Sequence, residues 1–278
     1  MSKIISFSSV RHGSGKSTLA SILALELSKR KKRVLVIDNN FKYPSIHRLL
    51  MAEYKYTVDD MKPFLFSTVI DEAIFREHLS SVNDYLDVLV GSRMFLGDNT
   101  MSADNISSIA EICESAYDYI LIDLKNGFES QETVSILENS DKVFLVTPYD
   151  INAKGYLGLA LASIKPEHRE MAESVVKSST LIINNYAENT GPLPEKMAED
   201  FGVSEYLILP HSPDVLAFAN GYVFSPRDEA LEFTSRFTNS VYPEDERQMD
   251  DAYRISQKSK INGKIFGIFQ NIRSDFSE

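Results

Sequence analysis

The sequence predicts an α/β protein built on a doubly wound, largely parallel β-sheet with helices on both faces. Two observations predict it: short apolar segments alternate with segments of helical periodicity, and most of the apolar segments are apolar on both faces of the pleat. Strands of this kind are typical of a sheet covered on both sides, and strand–helix alternation favours parallel pairing. The candidate strands are residues 3–8, 33–38, 85–91, 118–124, 142–148, 179–185 and 205–210.

Four segments between the candidate strands carry helical patterns. The first has Leu19, Ile22 and Leu23 at helical spacing and ends in the basic run KRKKR. Lysine and arginine are favourable at the carboxyl end of a helix, so we interpret this run as a solvated last turn. The predicted helices are residues 17–30, 102–116, 129–139 and 152–173.

Composition and charge restrict the class of protein. The 278-residue chain has 43% hydrophobic and 25% charged residues, as is typical of a soluble globular protein. Its net charge of −11 argues against a protein that coats nucleic acid. Cys113 is the only cysteine, which rules out an internal disulfide and favours a reducing compartment. Neither a signal peptide nor a spanning segment of about 20 apolar residues is recognised, so a cytoplasmic location is expected.

A phosphate-binding loop is predicted directly after the first strand, where GSGKST opens the first helix. Glycines there allow backbone N–H groups to face phosphate oxygens, and the helix dipole adds partial positive charge. The lysine would reach the β- and γ-phosphates, and the serine after it would ligate Mg²⁺. The candidate nucleotide-binding residues of the loop are Gly13, Ser14, Gly15, Lys16, Ser17 and Thr18.

A second candidate element is the apolar strand that ends in YILIDL. Asp123 lies at its end, the position of a carboxylate that holds Mg²⁺ through water in P-loop proteins. Ser17 and Asp123 are therefore the predicted metal ligands. The five histidines show no metal-ligand spacing, so no metal site beyond nucleotide-bound Mg²⁺ is expected.

Taken together, these motifs resemble the deviant P-loop ATPases of the MinD and ParA group. Their loop, K-G-G-x-G-K-[ST], begins at position 11, where this chain reads RHGSGKS, and it requires no glycine at position 10. Asp38, at the end of VLVID, matches the first acid of the family's switch I. Asp123 and Gly127 match its switch II pattern, and Asn184 in LIINN matches its adenine-reading asparagine. The likeness covers roughly residues 3–222.

The resemblance implies ATP and Mg²⁺ as cofactors, an ATP-dependent homodimer, and Lys16, Arg11 and Asp38 as the residues that act on the γ-phosphate. Several residues depart from the family's pattern, among them Arg11, His12, which replaces a glycine, and Asn40. Arg11 replaces the lysine that crosses the family's dimer interface, and Asn40, which cannot ionise, replaces the second acid of switch I. Because these changes affect hydrolysis more than binding, we expect ATP binding with slow or negligible turnover.

The end of the chain differs from the rest. Residues 254–273 contain five basic and no acidic side chains, with apolar residues at helical spacing. This pattern predicts a basic amphipathic helix at 254–278, following a P-loop ATPase domain at 1–253. Two interpretations stay open: the helix lies on a membrane surface, which would make the protein peripheral on the inner face of the cell membrane, or it packs on the domain.

Several functions are compatible with these patterns. The leading hypothesis is a MinD/ParA-like nucleotide switch that positions or recruits an unidentified partner protein. The second is a non-hydrolysing, ATP-bound scaffold, similar to pilus-localising relatives of the family. A DNA partition ATPase is disfavoured by the acidic composition, and a small-molecule kinase stays open on fold alone. Residues 44–84 match no motif and are a candidate partner-binding region.

Overall fold

The computed structural model describes residues 2–40, 44–65, 72–93, 101–125, 128 and 130–243. The chain divides into two compact units, residues 1–237 and residues 238–278, and the strands described all belong to the first. The helix predicted at 254–278 and the predicted site residue Gly127 lie outside the described residues. None of the helices in the described ranges is long and apolar enough to cross a bilayer.

One sheet contains the eight strands of the described chain. They are β1 (Lys3–Ser9), β2 (Val34–Asn39), β3 (Ser80–Asn83), β4 (Leu86–Leu89), β5 (Tyr119–Leu124), β6 (Lys142–Pro148), β7 (Thr180–Tyr186) and β8 (Glu205–Pro210). Their order across the sheet is β3-β4-β2-β5-β1-β6-β7-β8, and all neighbours pair in parallel except β3 and β4. This confirms the doubly wound, mostly parallel sheet, and each of the seven candidate strands is present.

Eleven helices lie in the described residues. They are α1 (Lys16–Lys29), α2 (Ile46–Leu49), α3 (Val58–Leu65), α4 (Glu72–Glu77), α5 (Ala103–Cys113), α6 (Gln131–Glu138), α7 (Ala153–Ala162), α8 (Pro166–Ser178), α9 (Pro194–Phe201), α10 (Pro213–Ala219) and α11 (Asp228–Asn239). Helix α1 packs on β1, β2 and β5. Every residue of β2 and β5 is buried, so both faces of the central sheet are covered.

The structure corrects the sequence prediction in two places. The helix predicted at 152–173 is two helices, α7 and α8, because Pro166 starts α8 and its ring disfavours the helical conformation in the residue before it. Accordingly, Lys165 is extended, with φ −56° and ψ 141°. Strand β3 was not predicted, because its sequence SSVN lacks an apolar run and it only lines the sheet edge beside β4.

The register of the sheet brings polar residues from different strands to one edge. Asp38 of β2 lies opposite Asp123 of β5, and Asp123 lies opposite Phe7 of β1. On the other side of β1, Pro148 of β6 lies opposite Asn184 of β7. Ligands of open α/β sheets bind at the carboxyl ends of the strands, so this edge is where a site is expected.

Candidate functional site

The loop between β1 and α1 is shaped to bind an anion. Gly13 and Gly15 have φ of +73° and +96°, a region that glycine enters without steric cost. Gly15 is the N-cap of α1, and no side chain of the described residues accepts a hydrogen bond there. The first N–H groups of α1, at the positive end of the helix dipole, are therefore available to phosphate oxygens.

Asn184 fixes this loop to the end of β7. Its Nδ2 atom donates a hydrogen bond of 2.7 Å to the Ser14 carbonyl oxygen. A Cβ atom on Gly15 would overlap the same Nδ2 atom, so glycine is required by close approach as well as by φ. Asn184 therefore sets the shape of the phosphate-binding turn.

Lys16, Asp38 and Asp123 form a buried group of charges next to the loop. Lys16 is only 5% exposed, and burial lowers its pKa, while the carboxylates of Asp123 and Asp38 act in the opposite direction. Burial raises the pKa of Asp38 to about 8, and the neighbouring Asp123 adds to this rise. Burial also raises the pKa of Asp123, against the effects of Lys16 and Ser17.

The carboxyl group of Asp38 is held by backbone N–H groups. Its Oδ2 atom accepts hydrogen bonds from the N–H groups of Ser45 at 2.9 Å and Ile46 at 3.1 Å, where α2 begins. Gly91 lies against it, since a Cβ there would be 3.2 Å from Asp38 Cγ and 2.7 Å from Pro44 Cβ. Asp38 thus fastens the start of α2 to the sheet, and it is not among the residues that line the cleft.

Ser17 and Asp123 present oxygen atoms that fit Mg²⁺. Ser17 Oγ donates to Asp123 Oδ2 at 2.5 Å. Within the described part of the chain, the buried Oδ1 atom of Asp123 has no hydrogen-bond partner, so it can accept from a metal-bound water. No group of three or more His, Cys, Asp or Glu side chains in the described residues could hold a metal by itself. A hydroxyl and a carboxylate next to a phosphate-binding turn suit a hydrated Mg²⁺ ion shared with phosphates.

Arg11 is directed away from the cleft. Its Nη1 atom donates to Asp150 Oδ2 at 2.8 Å, and its guanidinium lies 5.0 Å from the centre of the Tyr156 ring. Both partners belong to the segment that leads into and forms α7, and Arg11 does not line the cleft. Arg11 therefore contacts the start of α7 and not the cleft.

The loop opens on a cleft of about 950 Å³, which is large enough for a nucleotide. All six predicted loop residues, together with Asn184 and Asn40, line it. Several further residues of its wall were not predicted from the sequence, among them Arg48, Asn185 and His211. The sequence carries a signal for two of them: Asn185 is next to Asn184, and His211 lies in the LPHSP stretch.

A glycine turn at a helix amino end, a buried lysine and a Ser–Asp pair at the carboxyl edge of a doubly wound sheet define a P-loop nucleotide-binding protein. The family model described as "AAA domain" matches residues 2–174, which is more than half of the chain. The chain therefore belongs to this family, and its relatives place it with the MinD/ParA-type P-loop ATPases.

Two curated relatives illustrate the similarity. An uncharacterized ATP-binding protein of Methanocaldococcus jannaschii is 29% identical over 143 residues, covering 51% of this chain and 52% of the relative. The septum site-determining protein MinD of Synechocystis is 24% identical over 149 residues, covering 53% and 54%. The chain thus spans about half the length of the curated relatives it matches.

Solved structures show the same fold over a longer range. A ParA family ATPase from Chlorobium tepidum aligns with TM-score 0.67 and 18% identity over 86% of this chain and 99% of its own. MinD of Pyrococcus horikoshii, complexed with Mg-ADP, aligns with TM-score 0.66 and 18% identity over 87% and 96%. The MinC:MinD complex of Aquifex aeolicus aligns with TM-score 0.67 and 19% identity over 87% and 96%.

Proposed function

We propose that the protein binds ATP and Mg²⁺ in the cleft and acts as a nucleotide switch that dimerises and recruits partner proteins, with slow or no hydrolysis. The observation that carries this proposal is the hydrogen bond between Ser17, in the first turn of α1, and Asp123 of β5, beside helix N–H groups that no side chain of the described residues caps. Donors for phosphate and oxygen ligands for Mg²⁺ meet there. The structural relative with Mg-ADP supports this choice of ligand.

Each loop residue has a role in this proposal. Backbone N–H groups of residues 13–18 bind the phosphates, and the Lys16 ammonium, next to two carboxyl groups, is held for the β- and γ-phosphates. Ser17 and Asp123 hold Mg²⁺, which when bound neutralises phosphate charge. Gly127, outside the described residues, keeps its proposed nucleotide contact, and Asn184 contributes by fixing the loop.

Slow turnover is supported by the positions of the three predicted catalytic residues. Lys16 lines the cleft. Asp38, by contrast, accepts hydrogen bonds from the N–H groups of Ser45 and Ile46 at the start of α2, and Arg11 donates one to Asp150. Asn40 does line the cleft, but an amide cannot accept a proton from water at neutral pH. Hydrolysis by this arrangement needs Asp38 or Arg11 to leave its present partners.

Dimerisation and partner recruitment are proposed for the surface beside Arg11. On the same segment as Asp150 and Tyr156, Ile151 is 80% exposed and Leu159 is 69% exposed. An apolar patch with a polar rim is typical of an interface, and we propose that Ile151 and Leu159 contribute to such a patch. The relative solved as a MinC:MinD complex shows a neighbour of this fold together with another protein. We also propose a cytoplasmic location and peripheral membrane association through the basic segment 254–278.

A non-hydrolysing scaffold is the second candidate, and the burial of Asp38 against Ser45 and Ile46 is the observation that favours it. Such a scaffold would hold ATP without using it to change state. Native mass measurements separate the two functions: a dimer with ATP and a monomer with ADP supports the switch, whereas the same dimer with both nucleotides supports the scaffold.

Isothermal titration calorimetry with ATP and Mg²⁺ tests the proposed site. Lys16→Ala should weaken ATP binding by about 10- to 100-fold, since it removes a charge-assisted contact with phosphate. Lys154→Ala is the control, because Lys154 lies on α7 and does not line the cleft. Its Nζ atom is 2.9 Å from Oδ1 of Asp200. Absence of ATP binding to the wild-type chain would refute the proposal, and phosphate release above roughly 1 per second would refute slow turnover.

A further inference from the structure

Arg48 contributes a positive charge to the wall of the cleft. It lies on α2, distant in sequence from the loop, yet it lines the cleft together with Lys16. Its side chain is exposed, and among the described residues it forms no ion pair with an acidic side chain, in a chain whose net charge is −11. Arg11, Arg76 and Arg227, by contrast, each pair with a carboxylate. A cation without a carboxylate partner beside a phosphate-binding turn is available to an anionic ligand.

Helix α2 holds the backbone of Arg48 in place. Ile46 and Leu49, on either side of it in the sequence, are buried. Leu49 belongs to an apolar cluster with Ile22 of α1 and Phe218 of α10. The segment that carries Arg48 is therefore anchored to α1, the helix whose amino end forms the proposed phosphate site.

The Arg48 guanidinium is folded back to the start of α2. Its Nη2 atom donates to the Pro44 carbonyl oxygen at 3.0 Å. Pro44 is next to Asp38, since a Cβ atom on Gly91 would be 2.7 Å from Pro44 Cβ and 3.2 Å from Asp38 Cγ. Asp38 in turn lies opposite Asp123, the proposed Mg²⁺ ligand. The guanidinium therefore lies on the side of the cleft where Mg²⁺ is proposed to bind, and Mg²⁺ bridges the β- and γ-phosphates in P-loop proteins.

The contact with Pro44 leaves most of the guanidinium unused. A guanidinium carries several N–H donors in a planar fork that matches phosphate oxygens, and the Pro44 carbonyl oxygen takes only one of them. Arg11 is engaged differently, because it donates to Asp150 and lies against the Tyr156 ring. Of these two arginines, Arg48 is the one that lines the cleft.

We propose that Arg48 binds the γ-phosphate of ATP from within its own protomer and so sets the preference of the site for ATP over ADP. The inference rests on the proposed function, because it requires a nucleotide in the cleft. It adds to that function the side chain by which the switch distinguishes its two nucleotides. A guanidinium cannot accept a proton from water, so this role is compatible with slow turnover.

Isothermal titration calorimetry with ATP and with ADP, both in the presence of Mg²⁺, tests this assignment. Arg48→Ala should weaken ATP binding about 10- to 100-fold, since a charge-assisted contact is lost, and ADP binding less than about 2-fold. Arg48→Lys keeps the charge but not the fork, so it should restore part of the affinity for ATP. The difference between the wild type and Arg48→Ala for ATP should shrink at high salt, because salt screens the attraction in an open cleft.

Arg76→Ala is the matched control, since Arg76 is an exposed arginine of α4 that does not line the cleft. Equal weakening of ATP and ADP by Arg48→Ala, or unchanged ATP binding, would overturn the assignment while leaving nucleotide binding at the loop intact. If the wild-type chain binds neither nucleotide, the proposed function itself fails and this inference with it. Binding of ADP by Arg48→Ala at the strength of the wild type excludes unfolding as the cause of weaker ATP binding.

Discussion

Asp38 and Asp123 lie directly opposite each other in the parallel pairing of β2 and β5, and both are buried. Two carboxyl groups at one point of a covered sheet cannot both ionise without cost, and burial raises the pKa of each. Lys16 nearby offsets part of this cost for Asp123. The edge where phosphate and Mg²⁺ are proposed to bind is therefore an unfavourable environment for two ionised carboxyl groups.

Substitution of Asp38 by asparagine should change how stability depends on pH. The pKa of Asp38 rises from 3.8 to about 8 on folding, so the folded state binds more protons than the unfolded state between these values. The contribution of Asp38 to the free energy of unfolding is fully present below about pH 4 and is lost as the pH rises towards 8. The free energy of unfolding falls by at most about 1.4 kcal/mol per pH unit in this range. The amide of the variant does not titrate, so the stability of Asp38→Asn relative to the wild type should increase from pH 5 to pH 8.

Urea denaturation of the nucleotide-free chain at pH 5, 6.5 and 8 measures this difference. Asp150→Asn is a suitable control, since Asp150 is a partly exposed partner of Arg11 and lies outside the buried group. A difference between Asp38→Asn and the wild type that stays constant across this range would contradict the buried, protonated state of Asp38.

Substitution of Gly15 by alanine should damage both the loop and nucleotide binding. The change puts a side chain at φ +96° and a Cβ atom in the space of Asn184 Nδ2. We expect a loss of about 1–3 kcal/mol of stability and weaker ATP binding. Gly155 on α7 is the matched control, because a Cβ there meets nothing within 4 Å among the described residues. Gly155→Ala should instead stabilise the protein by about 0.5–1 kcal/mol. Similar melting temperatures for the Gly15→Ala and Gly155→Ala variants would refute the close approach of Asn184 Nδ2 to Gly15.

Much of the site could be predicted because it depends on local sequence. The GSGKST turn follows β1, and Asp123 lies near the end of β5. Both strands have a plain apolar pattern, and the parallel register brings the turn and Asp123 to one edge. The directions of Arg11 and Asp38 could not be predicted, because they are set by Asp150 and by the start of α2, which are distant in sequence or match no motif. His211 and Asn185 meet only through a bulge between β7 and β8, which leaves no sequence pattern.

Substitution of Asp150 by alanine should release Arg11. The ion pair is partly exposed, so its loss should cost less than about 1 kcal/mol of stability. If Arg11 acts across a dimer interface, its release should strengthen ATP-dependent dimerisation, and Arg11→Ala should weaken it. Sedimentation velocity with ATP and Mg²⁺ measures both effects. Arg33→Ala is the control, because it removes an exposed ion pair with Asp118 at the amino ends of β2 and β5, away from this surface. Unchanged dimerisation in Asp150→Ala and Arg11→Ala would remove Arg11 from the interface.

Removal of residues 254–278 should abolish binding to anionic vesicles. This segment contains Arg254, Lys258, Lys260, Lys264 and Arg273, and its apolar residues recur at helical spacing, so it suits a negatively charged lipid surface. The 278-residue chain and the truncated chain should differ in co-sedimentation with vesicles containing anionic lipid at low salt. The difference should shrink at high salt because the attraction is screened. Vesicles of neutral lipid are the control. Equal sedimentation of both chains would favour the other interpretation, in which the segment packs on the domain. In that case the truncated chain should have a lower melting temperature, because apolar surface of the domain would be exposed to water.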